Sequence, residues 1–269
     1  MKQRINHLVL LVLAGSVVRL CEAAQLPSPP PDSLSHAHQI AALLAQADTL
    51  SWEEGENGRA LALYAEALSL DKRSPEILWR ISQSYLRIAD DLASEEQELR
   101  LSLYEKALEF ADKSVTANGR SSRAFTQRGI ASARIALFKG FWESIGMLKD
   151  ARADLERALE LDSLNHEAHF ALATTHLKVI EKPWILRWPL GLGWGDMRTA
   201  IAHLERAIEL QWNCIEYRLA AARAYIEENE PAKARAHLTL VPMLRAVNRT
   251  DLIAAREARS LLEHLETED

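Results

Sequence analysis

Ala151-Arg-Ala153-Asp-Leu155-Glu-Arg-Ala158-Leu-Glu-Leu161 returns almost unchanged as Ala200-Ile-Ala202-His-Leu204-Glu-Arg-Ala207-Ile-Glu-Leu210. In both stretches a small residue is followed seven positions later by another. The same spacing recurs at Ala60 and Ala67, at Ala107 and Ser114, and at Ala234 with Val241. Seven residues is close to two helical turns, so each pair lies on one face of one helix, where small side chains let a neighbouring backbone approach. Repetition at a period of a few tens of residues marks a solenoid, whose units cannot bury their apolar faces alone.

Aligned on these pairs, five units start at 41, 75, 122, 166 and 215, and the small residues at 67, 114, 158 and 207 each precede the next start by eight positions. The junction between units is therefore constant. From 67 to 114, 158, 207 and 241 the successive intervals are 47, 44, 49 and 34, so the surplus residues must lie inside the units, between first and second helix. Ile77, Ile81, Tyr85 and Ile88 recur at three- and four-residue steps, as an amphipathic helix requires. Pro75 suits a first helical turn. Gly58, Gly119 and Asn229 read as turns, Pro242 should end or kink the last second helix, and a final helix from about Asp251 to Glu266 is expected to cap the stack.

Glu167-Ala-His169-Phe-Ala-Leu172-Ala173-Thr-Thr-His176, followed by Ala200 and Ala207, resembles a tetratricopeptide repeat, with His169 and His176 at positions usually aromatic and Ala173 where Gly is usual. The resemblance spans roughly residues 41 to 247. Within that superfamily, units two to five are similar to the repeat domain of the regulator of microtubule dynamics family and its bacterial relatives. That likeness is carried by Ala168-His169-Phe170, Trp184 after Val179-Ile180, Ala200 to Leu210, and Asp251 with Glu257-Ala-Arg-Ser-Leu261-Leu262. No residue here shows tubulin binding. The resemblance implies an all-α, right-handed solenoid of about five helix pairs with a C-terminal capping helix.

Lys2 and Arg4 precede an apolar run from Leu8 to Val18, about half of the ~20 residues that a membrane span needs. A short apolar core behind a basic start reads as a secretory signal over 1–23, with cleavage after Ala23; an uncleaved membrane anchor is the alternative. A lipoprotein reading of Cys21 is poor, because Arg19 and Leu20 stand where small residues precede a lipidated cysteine. Pro27-Ser-Pro-Pro-Pro31 makes 24–35 a stiff tether, and the repeat domain is assigned to 36–269. The expected location is exported, periplasmic or secreted.

Hydrophobic content of 48% and charged content of 26% suit a folded domain, and a net charge of −6 argues against a general nucleic-acid binder. Cys214, left alone if Cys21 is removed with the signal, reads as a small buried side chain in an interhelix turn. Asn248-Arg-Thr250 matches a glycosylation sequon, for which chance is the plainer account.

Catalytic patterns fail one by one. His166-Glu-Ala-His169 lacks the four-residue step of a metalloprotease helix. A zinc site from His166, His169, His176 and His203 would need convergent ligands, and the repeat alignment accounts for two of them as interface aromatics. Gly191, Gly193 and Gly195 follow no strand and make no phosphate loop, and no Ser sits in an elbow motif. No enzyme, metal or cofactor is expected. Asp90-Asp91-Leu-Ala-Ser-Glu95-Glu96-Gln-Glu98 reads as a solvated turn.

Two surfaces are candidates for binding a protein or peptide partner. One is the pair of inserted segments, Leu137-Phe138-Lys-Gly-Phe141-Trp142 in unit three and Lys182-Pro-Trp184-Ile-Leu-Arg-Trp188-Pro-Leu190-Gly-Leu192-Gly-Trp194-Gly195 in unit four. These are expected to meet on one edge. There Trp142, Trp184, Trp188 and Trp194 either plug one another as core or form an apolar patch for a partner or lipid-like ligand. The other is the concave groove, assigned Glu76, Trp79, Gln83, Thr126, Ile130, Glu167, Phe170 and Thr174, whose mixed character suits an extended peptide or amphipathic helix. The roles that follow are scaffold or adaptor for another protein or, alternatively, a partner component of a transport system resembling the helical-repeat partners of tripartite substrate-binding transporters. Membrane contact would come only through an uncleaved N-terminus.

Overall fold

The computed structural model describes residues 31–267. The signal and most of the tether, 1–30, lie outside them. Of two compact units, Met1–Ile40 and Ala41–Asp269, the second carries everything below. Among the described residues all regular structure is helical: α1 Pro31–Trp52, α2 Asn57–Leu70, α3 Pro75–Asp91, α4 Gln97–Ala117, α5 Ser122–Ala136, α6 Phe141–Leu161, α7 His166–Ile180, the short α8 Trp184–Arg187, α9 Met197–Leu210, α10 Ile215–Glu227, α11 Pro231–Leu238, a 3₁₀ turn Val241–Met243, and α12 Arg249–Thr267. None is long and apolar enough to cross a membrane.

First helices begin at Pro75, Ser122, His166 and Ile215, four of the five expected unit starts; the first unit's helix instead begins at Pro31, ten positions before 41, so residues 31–35 of the expected tether are helical. Local chemistry fixes them. Pro75 opens α3, while the Ser121 Oγ and Asn165 Oδ1 accept from the N–H of Ala124 and Ala168 and cap α5 and α7. The paired small residues are all buried; four pairs lie each on one helix, α2, α4, α6 and α9, whereas the fifth is split between Ala234 on α11 and Val241 in the 3₁₀ turn. Closeness there is used for hydrogen bonding: Ser82 Oγ donates to the Ala107 carbonyl at 2.7 Å, Ser114 Oγ to Pro75 at 2.9 Å, and Ser122 Oγ to Ala158 at 2.8 Å. Gly129 on α5 meets α6 so tightly that a Cβ would stand 2.8 Å from Leu155 Cγ.

The surplus residues of units two and three are helical. α4 and α6 begin ten positions before their first small residue, whereas α2 and α9 begin three before theirs, so two extra turns are added at the N-terminal ends of α4 and α6. Only unit four keeps its surplus as a loop, residues 181–196. Gly58 sits in the first turn of α2 and not in a turn of its own; the turn is made by Gly55, at φ +70°. Asn229, at φ 58°, ends α10, and α11 stops at Leu238, with Pro242 in the 3₁₀ turn that follows.

α12 does more than cap. It packs on α10 and α11 through Ala254, Ala258 and Leu265, and the segment before it reaches back to the first units. Thr250 donates through Oγ1 to Asp91 at 2.9 Å, and the Val247 carbonyl lies 2.5 Å from where a Cβ on Gly55 would stand. Residues 245–251 thus form a strap across the concave side.

Candidate functional site

Beneath the strap lies a cavity of about 270 Å³, walled by α3, α5, α7 and the start of α10. Of the expected groove residues, Gln83, Ile130, Glu167 and Phe170 line it. Glu167 is its hub: the Gln83 Nε2 donates to the carboxylate at 2.8 and 3.1 Å, the Gln127 Nε2 at 3.1 Å, and Arg87 lies 3.7 Å away. Arg87 also donates to Ser51 and rests 3.6 Å over the Trp52 ring. Phe170 stacks on Tyr217, ring centroids 4.4 Å apart.

The other expected groove residues lie elsewhere. Trp79 is 3% exposed, covered by Arg80 and Arg123, with its indole N–H on Glu76 at 3.0 Å. Thr126 is buried between the Ser122 carbonyl and the Asn165 amide. Thr174 folds onto the Ala171 carbonyl, and Glu76 pairs with Arg80 outside the cavity. Packing between units claims Trp79 and Thr126, because first helices bury more than one face, while Glu76 stays exposed and Thr174 half-buried.

The acidic stretch is not wholly a solvated turn. Asp90 accepts from the Tyr104 hydroxyl at 2.6 Å and pairs with Arg134, and Asp91 anchors the strap. Both line the cavity together with Glu216 and Asp251, neither of which the repeat pattern marked as binding. Burial, then Asp90, push the Glu216 carboxyl up to about 7, and burial raises Asp251 as well. Their signal in the sequence is weak: a carboxylate in the first turn of α10, and one beside a capping helix.

At the edge of unit four, the loop is pinned by leucines and not by indoles. Leu192 is 1% exposed among Ala136, Ile145, Leu148 and Val179, with Leu190 and Trp194 against the same cluster. The contact of this loop with unit three is made by Ala136 and by Ile145 and Leu148 of the lengthened α6, on either side of the inserted segment 137–142. The mutual plug of four tryptophans is not formed: Trp142 and Trp184 are each 75% exposed and Trp188 82%, beside exposed Ile185 and Leu186. Trp194 alone is partly covered, edge-on to His176 at 5.1 Å and under Arg152. Phe138 turns toward Tyr104 of unit two; the side chain of Phe141 lies outside the described residues.

His169 and His176 are buried in the α7/α9 interface, where His169 Nδ1 lies 2.8 Å from His203 Nδ1. Burial and the two neighbouring imidazoles pull His203 down to about 4. His166 turns away to the Tyr217 hydroxyl at 2.9 Å. Among the described residues no three metal-binding side chains converge.

Residues 43–266 match the family model described as regulator of microtubule dynamics protein 1-3. Regulator of microtubule dynamics protein 1 of Bos taurus is 26% identical over 149 residues, covering 55% of this chain and 46% of the relative, so the chain spans less than half of that relative's length. A thermophilic tetratricopeptide-repeat protein of Thermus thermophilus superposes with a TM-score of 0.60 at 20% identity, over 83% of this chain and 99% of that one. Pseudomonas aeruginosa pilF does so at 0.50 and 16%, over 87% and 91%. These likenesses agree with the helix pairing and show the tetratricopeptide-like solenoid fold. With its repeats and capping helix spanned by the match, the chain belongs to the regulator of microtubule dynamics protein 1-3 family.

Proposed function

We propose that this chain is a non-enzymatic scaffold or adaptor that holds a segment of another protein on its concave side, in an exported or membrane-attached state. The observation that carries this is the strapped cavity. At about 270 Å³ it falls below the ~300–1,000 Å³ usual for whole small-molecule ligands, and so suits side chains projecting from a longer segment. Its lining mixes an aromatic stack, amides and charges, which is what peptide recognition uses. The thiol in its lining, Cys214, is pushed up to about 12 by burial and so is kept in its unreactive protonated form, which favours the binding reading.

A second reading concerns the unit-four loop. The exposed Trp184 and Trp188, beside exposed Ile185 and Leu186, make an apolar patch fit for a partner or a lipid-like ligand, as a transport component would need. Export rests on the Leu8–Val18 run, and a mature protein beginning at Ala24 supports it, whereas one retaining Met1 supports the anchor.

The test is site-specific photo-crosslinking from Arg245 in the strap, from Trp188, and from Glu160 as a control. Capture from Arg245 of a defined segment that then binds as a synthetic peptide supports the groove. Capture from Trp188 alone favours the patch. Equal capture from all three positions sinks both readings.

A further inference from the structure

Five carboxylates line the cavity, and four are satisfied. Glu167 has the two glutamines and Arg87, Asp90 has Tyr104 and Arg134, Asp91 has Thr250, and Asp251 accepts from the Val247 N–H at 2.9 Å. Among the described residues the Glu216 carboxylate makes no hydrogen bond or ion pair, although the residue stands half-buried between α3, α5 and α12. A second group in the same cavity is also unsatisfied. Gln127 is 1% exposed, its Nε2 is committed to Glu167, and its Oε1 has no partner. An unpaired buried acceptor costs free energy that a donor entering the cavity would recover. Ile130, Phe170 and Tyr217 supply apolar wall beside these acceptors.

We propose that the cavity receives a cationic nitrogen on an aliphatic stem, the ammonium or guanidinium of a Lys or Arg side chain or a free aliphatic amine, with Glu216 as counter-ion, Gln127 Oε1 as second acceptor and the stem along Ile130 and Phe170. This rests on the groove reading and adds the chemistry of what enters. Arg87 and Arg134 are already committed to Glu167 and Asp90, so they do not neutralise Glu216 fully.

Binding needs Glu216 ionised. The charged and titratable groups that share the cavity with it are Arg87, Asp90 and Asp91 from α3, Arg134 from α5, Glu167 and His166 from α7, Arg245 from the strap and Asp251 from α12. Burial, the largest cause, holds His166 below its ordinary value and so favours its neutral form. With Glu216 titrating at about 7, a cation should bind about tenfold more weakly at pH 6 than at pH 8.

The test is an NMR titration of the full chain with Nα-acetyl-lysine methylamide, its arginine counterpart, the neutral norleucine and citrulline analogues, and 1,5-diaminopentane. Expected are saturable shifts at the Gln127 amide and the start of α10 for the cationic probes, at least tenfold weaker for the neutral ones. Glu216→Gln should abolish them without lowering Tm, and the pH arm needs no variant. Equal binding of neutral probes, no saturable shift, or full binding to Glu216→Gln overturns the proposal. A diamine matching the lysine probe identifies small amines as the source, and a clear preference for the amino-acid amides identifies a protein side chain. If a segment captured from Arg245 binds equally with its Lys and Arg replaced by norleucine and citrulline, the cation proposal fails while the groove reading stands.

Discussion

Truncating Leu192 should damage the protein more than removing two of its tryptophans. Leu192 is closed in by Ile145, Leu148, Val179 and Ala136, so Leu192→Ala leaves a cavity between α6, α7 and the loop. Such changes cost about 3 kcal/mol or more. Trp184 and Trp188 keep only about a quarter and a fifth of their surfaces covered. On side chains of ~200 Å² this is roughly 50 and 40 Å², worth about 2 kcal/mol together at ~25 cal/mol per Å². That figure is a ceiling, because the unfolded chain also covers part of its surface, and no internal cavity is opened. Had the indoles plugged one another, each truncation alone would cost about 3–5 kcal/mol. Urea unfolding followed by far-UV circular dichroism on Leu192→Ala and on the Trp184→Ala, Trp188→Ala pair compares them directly. A pair that loses about 6 kcal/mol or more, or a Leu192→Ala that loses less than the pair, refutes leucine pinning and returns the indoles to the core.

For Glu216 the folded value, about 7, lies above the ordinary carboxylate range, so its cost is absent below about pH 4.5 and grows as pH rises through 7. Glu216→Gln should therefore gain about 1–2 kcal/mol at pH 8 and little at pH 5, after allowing for solvent at the cavity mouth; equal gains at both pH values count against the burial argument. His203 has the opposite sense: its value near 4 lies below the usual 6.5, so its contribution is full above pH 6.5 and is lost as pH falls through 4. His203→Gln should flatten the fall in Tm across that window, and an unchanged slope would dissociate it from acid unfolding. Gly129→Ala forces a Cβ to 2.8 Å from Leu155 Cγ and 3.0 Å from the Ala151 carbonyl, for a loss of about 1–3 kcal/mol, whereas Gly58→Ala meets nothing within 4 Å and should gain about 0.5–1 kcal/mol. Thermal melts of the two variants should move in opposite directions. Thr250→Val removes the hydroxyl held by Asp91 and should speed amide exchange over 245–251 without changing exchange in α5; uniform exchange in both would show that the strap is not a separate unit.

What was legible in the sequence is what depends on neighbours a few turns away. The starts at 75, 122, 166 and 215 follow from small residues that must face an adjacent helix, and Asn165 or Pro75 repeats that information as a cap or first-turn residue. The fate of the tryptophans was not legible, because exposure depends on what else can fill the gap under the loop. Leu190, between Pro189 and Gly191, and Leu192, between two glycines, do so. Composition alone cannot separate an aromatic plug from an apolar plug with aromatics outside it. The cavity was half legible: Gln83, Ile130, Glu167 and Phe170 follow from repeat geometry, whereas Asp91 meets Thr250 across 159 positions. No local pattern encodes that contact.

That long contact changes what the solenoid can accept. An open stack offers a groove whose length is set by the number of repeats, and nothing limits the girth of what lies in it. Here the strap sets a limit. Gly55 is left-handed, and the Val247 carbonyl occupies the space that any Cβ would need, so the first turn and the strap meet at backbone distance. Asp91 and Asp251 then spend their acceptor capacity on holding the strap and not on a ligand. Anything larger than a side chain must either thread beneath 245–251 or release the Thr250 tie. The cost of release comes from hydrogen bonds, each worth about 1 kcal/mol, together with the packing of Ala246 on the α10–α12 cluster. A segment that presents one well-matched side chain therefore enters without disturbing the fold, while a bulky helix must first displace the strap. On the proposed groove reading, selectivity follows from that asymmetry between threading and opening.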